Sequence, residues 1–476
     1  MTECTESMAQ LQLKFDFGLK KKLTGSFDGG LISSDGGLGL VRLADEQLKL
    51  TESAAIYIGE KRRPDLVKHS LRDLLRQRIY AIASGYEDAN DADNLRFDPM
   101  HKLCSSRLLS DADLASQPTI SRLENSVNET ELKFLQDLLV LTYLRKHKKP
   151  LRKLVLDLDT TCDPVHGYQQ LSFYNGFYGK FCYIPMFVFD ENGFPLAALL
   201  RPGNADVGGD AARCLRNILT ILRREWPDTE IEFRADAAFC RREVYQVCEE
   251  FGVKYFIGLK TNHALRCLAK PLVAAAEKEF EAIYGKSARL DKSAWRRTQE
   301  RMRFSSKEKG RMQEIFEQQK LVRKVGELAW RGRGYTEDMR VICRADYSEE
   351  GPELRFIITN HKGGNPRWMY ENKYCRRGQC ENWIKELKMI DCDRLSCQEF
   401  NANQFRLLQH VFAYVLLNGL RGRLSKKEQS ISIDQFILKF IKIGVLVRES
   451  VRRVSLHWTS SYPRQQSFAA LVASFA

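Results

Sequence analysis

The sequence predicts an α/β protein in which helices cover the faces of a mixed β-sheet. Short runs of alternating or continuous apolar residues at 153–159, 230–236 and 253–259 are typical of strands. Helical periodicity at 210–224 and 241–251 separates the later strands from one another. Strands that alternate with helices indicate parallel pairing in a sheet with helices on its faces.

Further strands are predicted on both sides of this alternating region. Residues 183–189 and 196–200 read as two strands joined by a turn, which favours a hairpin and therefore a mixed sheet. Residues 262–368 interrupt the alternation, and strand-like runs at 339–343 and 354–359 predict an inserted, partly β subdomain.

The N-terminal region is predicted to be mainly helical, and a further long helix is predicted near the C-terminus. Residues 66–79 carry apolar residues at helical spacing, and the strongly apolar stretch 405–420 reads as a second long helix. Residues 114–123 contain Pro118 between two short helical patterns, which suggests a helix-turn-helix-like corner, although any capped helix pair has the same pattern. One or two closing strands are expected in 443–456.

The charge balance favours a polyanionic partner, of which nucleic acid is the commonest. Lys and Arg number 75 against 61 Asp and Glu, a formal net charge of +14; a solvated basic surface is the alternative. No apolar run approaches the roughly 18 residues of a membrane span, and the first residues lack a secretory signal pattern, so no membrane partner is expected. The 13 scattered cysteines fit a reducing cytoplasm.

The charge is concentrated in residues 286–333, which hold 15 basic and 6 acidic residues. A basic stretch beside aromatic rings predicts contact with nucleic acid, whereas a solvated basic loop is the alternative. The residues expected to touch DNA here are Trp295, Arg296, Arg297, Arg301 and Trp330.

Four residues near the C-terminus have a spacing that predicts a phosphate and metal site. On a continuous helix, Tyr374, Arg377, Glu381 and Lys388 would share a stripe about 60° wide. A carboxylate suits Mg²⁺, and the phenol and the two cations suit phosphate. A solvated charged face is the alternative, so the prediction needs further carboxylates from elsewhere in the chain.

Two aspartates at strand ends supply those carboxylates. Asp159 is followed by two threonines, and Asp236 also ends a predicted strand. Functional groups gather at the carboxyl ends of strands in open α/β sheets, and three carboxylates suit a pair of Mg²⁺ ions. Asp157 shares a strand face with Asp159 and is the rival for the first acid; we favour Asp159 for its strand-end position and the threonines after it.

Two other patterns are given structural interpretations. The cysteine pairs beginning at Cys375 and Cys392 have four residues between partners, a spacing and helical geometry poor for zinc, so small buried thiols are expected. The aromatic run at 173–178 is interpreted as a buried cluster, with a border of the DNA path as the alternative.

With these residues in place, the chain resembles the DDE transposases of bacterial insertion sequences, in the branch marked by a Tyr-x2-Arg-x3-Glu-x6-Lys motif. The four residues from Tyr374 to Lys388 match that spacing at every position, and the first acid is similar to the Asp-Thr-Thr motif of the family. The acids are 77 and 145 residues apart, and the long second interval is like that of relatives with a β-rich insertion.

The resemblance implies a ribonuclease-H-like core that performs cut-and-paste transposition. Asp159, Asp236 and Glu381 would hold two Mg²⁺ ions, for which Mn²⁺ would substitute. Tyr374, Arg377 and Lys388 would contact the DNA backbone, and Trp295 or Trp330 would be candidates to stack on a flipped base. Double-stranded DNA is the implied partner, both the terminal inverted repeats and the target, and a homodimer is expected because two ends must meet. The expected location is cytoplasmic, on a bacterial-type nucleoid.

The implied organisation has five segments along the chain. They are a mainly helical N-terminal DNA-binding region (1–148), the first part of the core (149–261), the basic β-rich insertion (262–368), the second part of the core with the catalytic Glu helix (369–425) and a C-terminal segment (426–476). Two alternatives remain open: a two-metal nuclease or resolvase of the same fold, and a non-catalytic DNA-binding protein derived from a transposase.

Overall fold

The computed structural model describes residues 13–285, 320–332 and 338–475. The chain divides into two compact units, each built from separate stretches of sequence. The first comprises residues 1–146, 163–183 and 385–476, and the second comprises residues 147–162 and 184–384.

The first unit is mainly helical. Its two central helices, Leu71–Ala83 and Phe400–Arg421, pack against each other, and nearly every side chain of the second is buried. Such a helix is apolar around most of its circumference because other elements surround it. The remaining helices are Leu38–Leu48, Leu50–Ile58, Ala92–Leu95, Pro99–Cys104, Gln117–Glu124, Glu129–Lys146, Ile433–Phe436, the π-helical Ile437–Ile441, and Gln465–Ala473.

Three small antiparallel sheets complete the first unit. The strands Val445–Ser450 and Arg453–Trp458 form a hairpin to which Ile32–Ser33 adds a third strand. The other two sheets pair Leu13–Phe15 with Leu23–Gly25, and Lys180–Tyr183 with Phe173–Asn175 and Asp163–Pro164. The sheet of residues 163–183 carries the aromatic run and is called the aromatic hairpin below.

The second unit is built on an eight-stranded mixed sheet, as the alternating pattern predicts. Its strands in chain order are β1 (Lys153–Thr160), β2 (Met186–Asp190), β3 (Pro195–Leu199), β4 (Glu230–Ala235), β5 (Lys254–Leu259), β6 (Leu321–Trp330), β7 (Met339–Ser348) and β8 (Gly351–Thr359). Their spatial order is β6-β7-β8-β5-β4-β1-β2-β3. Only the central strands β1, β4 and β5 run parallel. They are buried on both faces, as expected for strands covered by helices on both sides.

Helices of the second unit connect and cover these strands. Val207–Glu225 links β3 to β4, and Arg242–Glu250 links β4 to β5. His263–Leu268 and Lys270–Tyr284 follow β5, and the second of these packs against β6 and β7. Among the helices that the structure describes, none is long and apolar enough to cross a membrane.

The strands predicted within residues 262–368 do not form a sheet of their own. β8 pairs with β5 in antiparallel fashion from Phe256↔Thr359 to Leu259↔Phe356, so β6, β7 and β8 extend the central sheet. The sequence pattern indicates the strands but not this pairing, because an antiparallel partner can join any free sheet edge.

Two local predictions were wrong. The expected break at Pro118 is absent, because this proline lies in the first turn of the single helix Gln117–Glu124, where a proline is tolerated. The aromatic run is also not a buried cluster: Tyr174, Phe177 and Phe181 all have largely exposed side chains.

The motif-bearing segment is not one continuous α-helix. Met369–Tyr374 is π-helical, Cys375–Gly378 is a 3₁₀ turn, and only Gln379–Lys388 is α-helical. The 60° stripe predicted at 100° per residue therefore holds for Glu381 and Lys388 but not for the two residues before them. π-Helical turns rotate each residue by less than an α-helix does, and they are frequent at functional sites.

Candidate active site

The two strand-end aspartates lie at the same edge of the sheet, as the sequence predicts. β1 and β4 are adjacent and parallel, and Leu158 pairs with Ala235, the residues just before Asp159 and Asp236. Parallel neighbours end at the same edge, so the two carboxylates lie side by side.

Backbone donors orient both aspartates. Asp236 caps the short 3₁₀ turn Ala237–Phe239, and its Oδ1 accepts a hydrogen bond from the amide of Ala238 at 2.9 Å. Asp159 Oδ1 accepts from the amide of Thr160 at 2.8 Å. Each carboxylate thus has one oxygen bonded to the backbone, and no backbone donor is given for the other.

Asp157, the rival for the first acid, has a different environment from Asp159. Arg234 donates two hydrogen bonds to Asp157, from Nε to Oδ1 and from Nη2 to Oδ2, both at 2.6 Å. Both side chains are almost fully buried, and burial raises the pKa of Asp157 to about 6 against the opposing effect of Arg234. With both oxygens bound to one guanidinium, Asp157 joins β1 to β4 rather than offering ligands.

Arg377 joins the carboxylates of the proposed triad. Its Nη1 lies 3.0 Å from Asp159 Oδ2, and its Nη2 lies 3.5 Å from Glu381 Oε1. The Glu381 side chain is more than half exposed, in the first turn of the helix Gln379–Lys388. Burial raises the pKa of Asp159 to about 6, Arg377 opposes that shift, and the charges of Asp236 and Glu381 add to it. This mutual influence shows that the three acids share one electrostatic environment.

Tyr374 packs beside the second aspartate. A Cβ at Gly258 on β5 would lie 2.7 Å from the Tyr374 hydroxyl and 2.7 Å from the amide nitrogen of Ala237. Burial raises the pKa of Tyr374, so its phenol stays protonated and able to donate. A glycine at this strand position leaves room for the phenol and for the turn after Asp236.

A second ionic cluster ties the motif segment to the sheet, and sequence reasoning missed it. The buried Glu232 of β4 accepts hydrogen bonds from Lys373 Nζ at 2.9 Å and from Lys153 Nζ at 2.5 Å. Arg234 also donates from Nη1 to the carbonyl of Lys373 at 2.9 Å. The inward-facing charges of Glu232 and Arg234 in the strand 230–235 were the available signal, because buried charges need partners.

Lys388, the last motif residue, belongs to the first unit and is bound to carboxylates there. Its Nζ lies 2.8 Å from Asp163 Oδ1 and 3.6 Å from Asp393 Oδ2. Asp163 is buried, which raises its pKa to about 6 against the effect of Lys388. The contact of Lys388 with DNA remains a prediction.

Among the five residues of the insertion that are predicted to contact DNA, one lies in the described part of the chain and four lie outside it. Trp330 ends β6 and is half-buried. Trp295, Arg296, Arg297 and Arg301 lie outside the described residues.

The chemistry of the three acids suits a divalent cation, since carboxylate oxygens are the ligands that Mg²⁺ prefers. Arg377 lies between two of them, and within the described part of the chain no three His, Cys, Asp or Glu side chains converge closely enough to form a ready metal site. The oxygen donors suit a divalent cation in kind, and Arg377 contacts two of the three carboxylates. Of the four cysteines expected to be buried thiols, Cys380 and Cys392 are buried, whereas Cys375 is exposed and Cys397 is half-buried.

Comparisons with known proteins identify the family of the chain. The family model described as Transposase DDE domain group 1 matches residues 15–476. No curated protein matches the sequence. Among solved structures, one described as a cryo-EM structure of the piggyBac transposase synaptic complex with hairpin DNA is similar, with a TM-score of 0.42 and 11% identity over 85% of this chain and 79% of that one. The family model spans almost the whole chain, which confirms the resemblance to DDE transposases: the chain belongs to the Transposase DDE domain group 1 family and is a DDE-type DNA transposase.

Proposed function

We propose that the protein is a cut-and-paste transposase with a ribonuclease-H-like core, which binds the terminal inverted repeats of its own element, cleaves the strands there and transfers them to target DNA. The observation that carries this proposal is the joining of Asp159 and Glu381 by Arg377 at the edge where Asp236 also ends its strand. DNA binding and cleavage are implied by the family.

DDE transposases generally use divalent metal ions. Asp159, Asp236 and Glu381 would hold them here, as two Mg²⁺ ions that Mn²⁺ can replace. Bound there, the ions would polarise the phosphate and activate the attacking water or hydroxyl.

The chain's own residues hold and orient the reacting groups. The amides of Thr160 and Ala238 fix one oxygen of each aspartate, so the carboxylates meet the cations without losing conformational freedom at that moment. Arg377 is positioned to exchange its carboxylate partners for a phosphate of the bound strand, because a guanidinium matches either anion.

The N-terminal region, 1–148, would hold the DNA through a groove in the first unit. The groove has a volume of about 1100 Å³ and lies beside the helix Gln117–Glu124. Six cationic side chains and two carboxylates line it: Lys61, Arg62, Lys68, Arg96, Arg107 and Arg122 against Glu60 and Asp113. This excess of positive charge is what a DNA backbone requires.

Lys68 and Arg122 are the cations most available to phosphates. Both are exposed, and among the described residues neither has a carboxylate partner. Arg122 donates only to the backbone carbonyl of Pro118, at 3.0 Å. Thr119 lies one turn before Arg122 on the same helix and also lines the groove.

The test is cleavage of a labelled duplex that carries the element's own terminal repeat, with Mg²⁺ or Mn²⁺. We expect cutting at the element boundary by the unmodified protein and none by Asp159→Asn, Asp236→Asn or Glu381→Gln, while each variant still binds the duplex. The Asp157→Asn variant is the matched control for the first acid. This variant should be less stable, because Arg234 loses its carboxylate partner. The folded fraction should still cut DNA in the presence of metal.

Each alternative gives a different result in the same assay. Cutting without joining of the ends to a target would indicate a two-metal nuclease. Binding without cutting by the unmodified protein would indicate a DNA-binding protein. Loss of cutting in Asp157→Asn together with normal cutting in Asp159→Asn would show that the first acid is wrongly assigned.

The partner and location follow from the same proposal. Two transposon ends must meet, so we expect a homodimer on paired end duplexes, measurable as the mass of the complex. The net charge of +14 supports residence on cytoplasmic nucleoid DNA.

A further inference from the structure

The aromatic hairpin presents rings that the rest of the described structure does not cover. Its strands Phe173–Asn175 and Lys180–Tyr183 pair with Tyr174 opposite Phe181, and residues 176–179 form the turn. Tyr168 is 97% exposed and Phe177 at the tip is 87% exposed. Proteins rarely expose several large aromatic rings together to water, so such a patch marks an interaction site.

The rings are displayed in two ordered pairs. Tyr174 and Phe181 meet edge to face with centroids 5.6 Å apart, and Phe177 and Tyr178 do so at 4.9 Å. Asn175 fixes the turn, since its Oδ1 accepts from the amides of Phe177 and Tyr178. The exposed rings of Tyr174 and Phe177 therefore keep surface on which a further partner can stack.

The base of the hairpin is anchored within its own unit. Gln169 Nε2 donates to the carbonyl of Leu395 at 2.8 Å, and the amide of Gln170 donates to the carbonyl of Gln398 at 3.0 Å. Tyr183 is fully buried and packs edge to face on Phe400. The base of the hairpin is therefore held in place. A ligand that binds the exposed rings would pay little free energy for ordering them.

The charge of the hairpin selects the partner. The one carboxylate of the hairpin, Asp163, is buried and paired with Lys388, and residues 164–183 contain His166 and Lys180 but no Asp or Glu. No exposed side chain of the hairpin therefore repels a polyanion. Exposed rings with basic side chains and no acidic ones are the composition of surfaces that bind single-stranded nucleic acid, where each base stacks on a ring.

We propose that the aromatic hairpin is a stacking platform for unpaired DNA bases, such as those exposed when a transposon end is opened. This inference rests on the proposed function. It assigns the base contacts to Tyr168, Tyr174 and Phe177 of the hairpin, in addition to any made by the tryptophans of the basic insertion.

The test compares two DNA probes on the full-length protein. One is a duplex with a four-nucleotide unpaired overhang containing 2-aminopurine, and the other is the blunt duplex of the same sequence. The unmodified protein should bind the overhang more tightly and quench its fluorescence by stacking. Phe177→Ala and Tyr168→Ala should each weaken overhang binding by about 5- to 100-fold and leave blunt-duplex binding unchanged. Phe177→Trp should retain both the preference and the quenching.

Phe134→Ala is the matched control, because Phe134 is an exposed ring on a helix of the same unit, and it should change neither readout. Unmodified protein that binds blunt duplex without preferring the overhang would overturn this inference alone. Unmodified protein that binds neither probe would overturn the proposed function and this inference with it. Loss of self-association in sedimentation by Phe177→Ala, with the preference intact, would show instead that the hairpin joins two copies of the chain.

Discussion

Arg377 is the residue on which the arrangement of the site depends most. Its guanidinium lies between Asp159 and Glu381. The carboxylate of Asp236 is also close enough to interact with the positive charge of Arg377. Asp159 and Glu381 come from different parts of the chain. Without a cation between them, their negative charges repel each other. Arg377 therefore offsets the repulsion between Asp159 and Glu381.

Replacing Arg377 by Gln should separate stability from metal binding. Without added metal, the partly buried Asp159 loses its partner, and we expect the free energy of unfolding to fall by about 1–3 kcal/mol. With the positive charge gone, Mg²⁺ or Mn²⁺ should raise the melting temperature more in the variant than in the unmodified protein. Thermal melts with and without metal give both quantities.

Arg376→Gln is the control for this prediction, because the neighbouring Arg376 is exposed. It should melt like the unmodified protein in both conditions. Equal metal-induced shifts in Arg377→Gln and in the unmodified protein would contradict the view that Arg377 occupies the position between the acids.

At the scale of elements, the motif segment is positioned by strands rather than by its own helix. Lys373 is bound to Glu232, and Arg234 reaches the carbonyl of Lys373, so β4 fixes the π-helical turn that precedes Arg377. Gly258 of β5 has no side chain. Tyr374 and the turn after Asp236 therefore pack directly against the backbone of β5 at this position. The change from π to 3₁₀ to α geometry thus occurs where the segment is held from outside.

Gly258→Ala should disturb this packing directly. Its Cβ would lie 2.7 Å from the amide nitrogen of Ala237, so the backbone after Asp236 must move. We expect a loss of about 1–3 kcal/mol in the free energy of unfolding, measured by urea titration, and a matching loss of DNA cleavage.

Gly419→Ala provides the comparison. This glycine lies inside the helix Phe400–Arg421 with no atom near an added Cβ, so alanine should leave the protein as stable or more stable. If Gly258→Ala were equally harmless, the close packing of β5 on the site would not matter for stability or cleavage.

At the scale of the whole molecule, the two compact units carry different parts of the proposed activity. The second unit contains Asp159, Asp236 and Glu381, and the first contains the basic groove and the aromatic hairpin. Electrostatic attraction to phosphates should accordingly be measurable without any cleavage.

Lys68→Gln combined with Arg122→Gln should weaken duplex binding and lower its salt dependence. Each lost phosphate contact removes about one counterion, so the slope of log K against log salt should fall by about 2 in magnitude. Binding isotherms at several salt concentrations measure the slope.

Lys426→Gln with Lys427→Gln removes the same charge from another exposed part of the first unit and should change the slope far less. A slope that falls equally in both double variants would mean that net charge, rather than the groove, holds the DNA.

The sequence by itself determined where most helices and strands lie, and it proposed Asp159, Asp236 and Glu381 as the acids of the site. Alternation and helical periodicity are local properties, so the strands of Asp159 and Asp236 and the helix of Glu381 were predictable. Their carboxyl-end positions and the motif spacing were sufficient to indicate the site. Periodicity failed at Tyr374 and Arg377, because the chain there is π-helical and then 3₁₀ rather than α-helical.

Only the tertiary structure decided which partner each charged group takes. Arg234 meets Asp157 across 77 residues, and Lys388 meets Asp163 across 225, and no local pattern encodes such pairings. Those pairings bind both oxygens of Asp157 to Arg234 and bind Lys388 to two carboxylates. The same holds for the aromatic hairpin, since an apolar run reads alike whether other elements cover it or leave it in water.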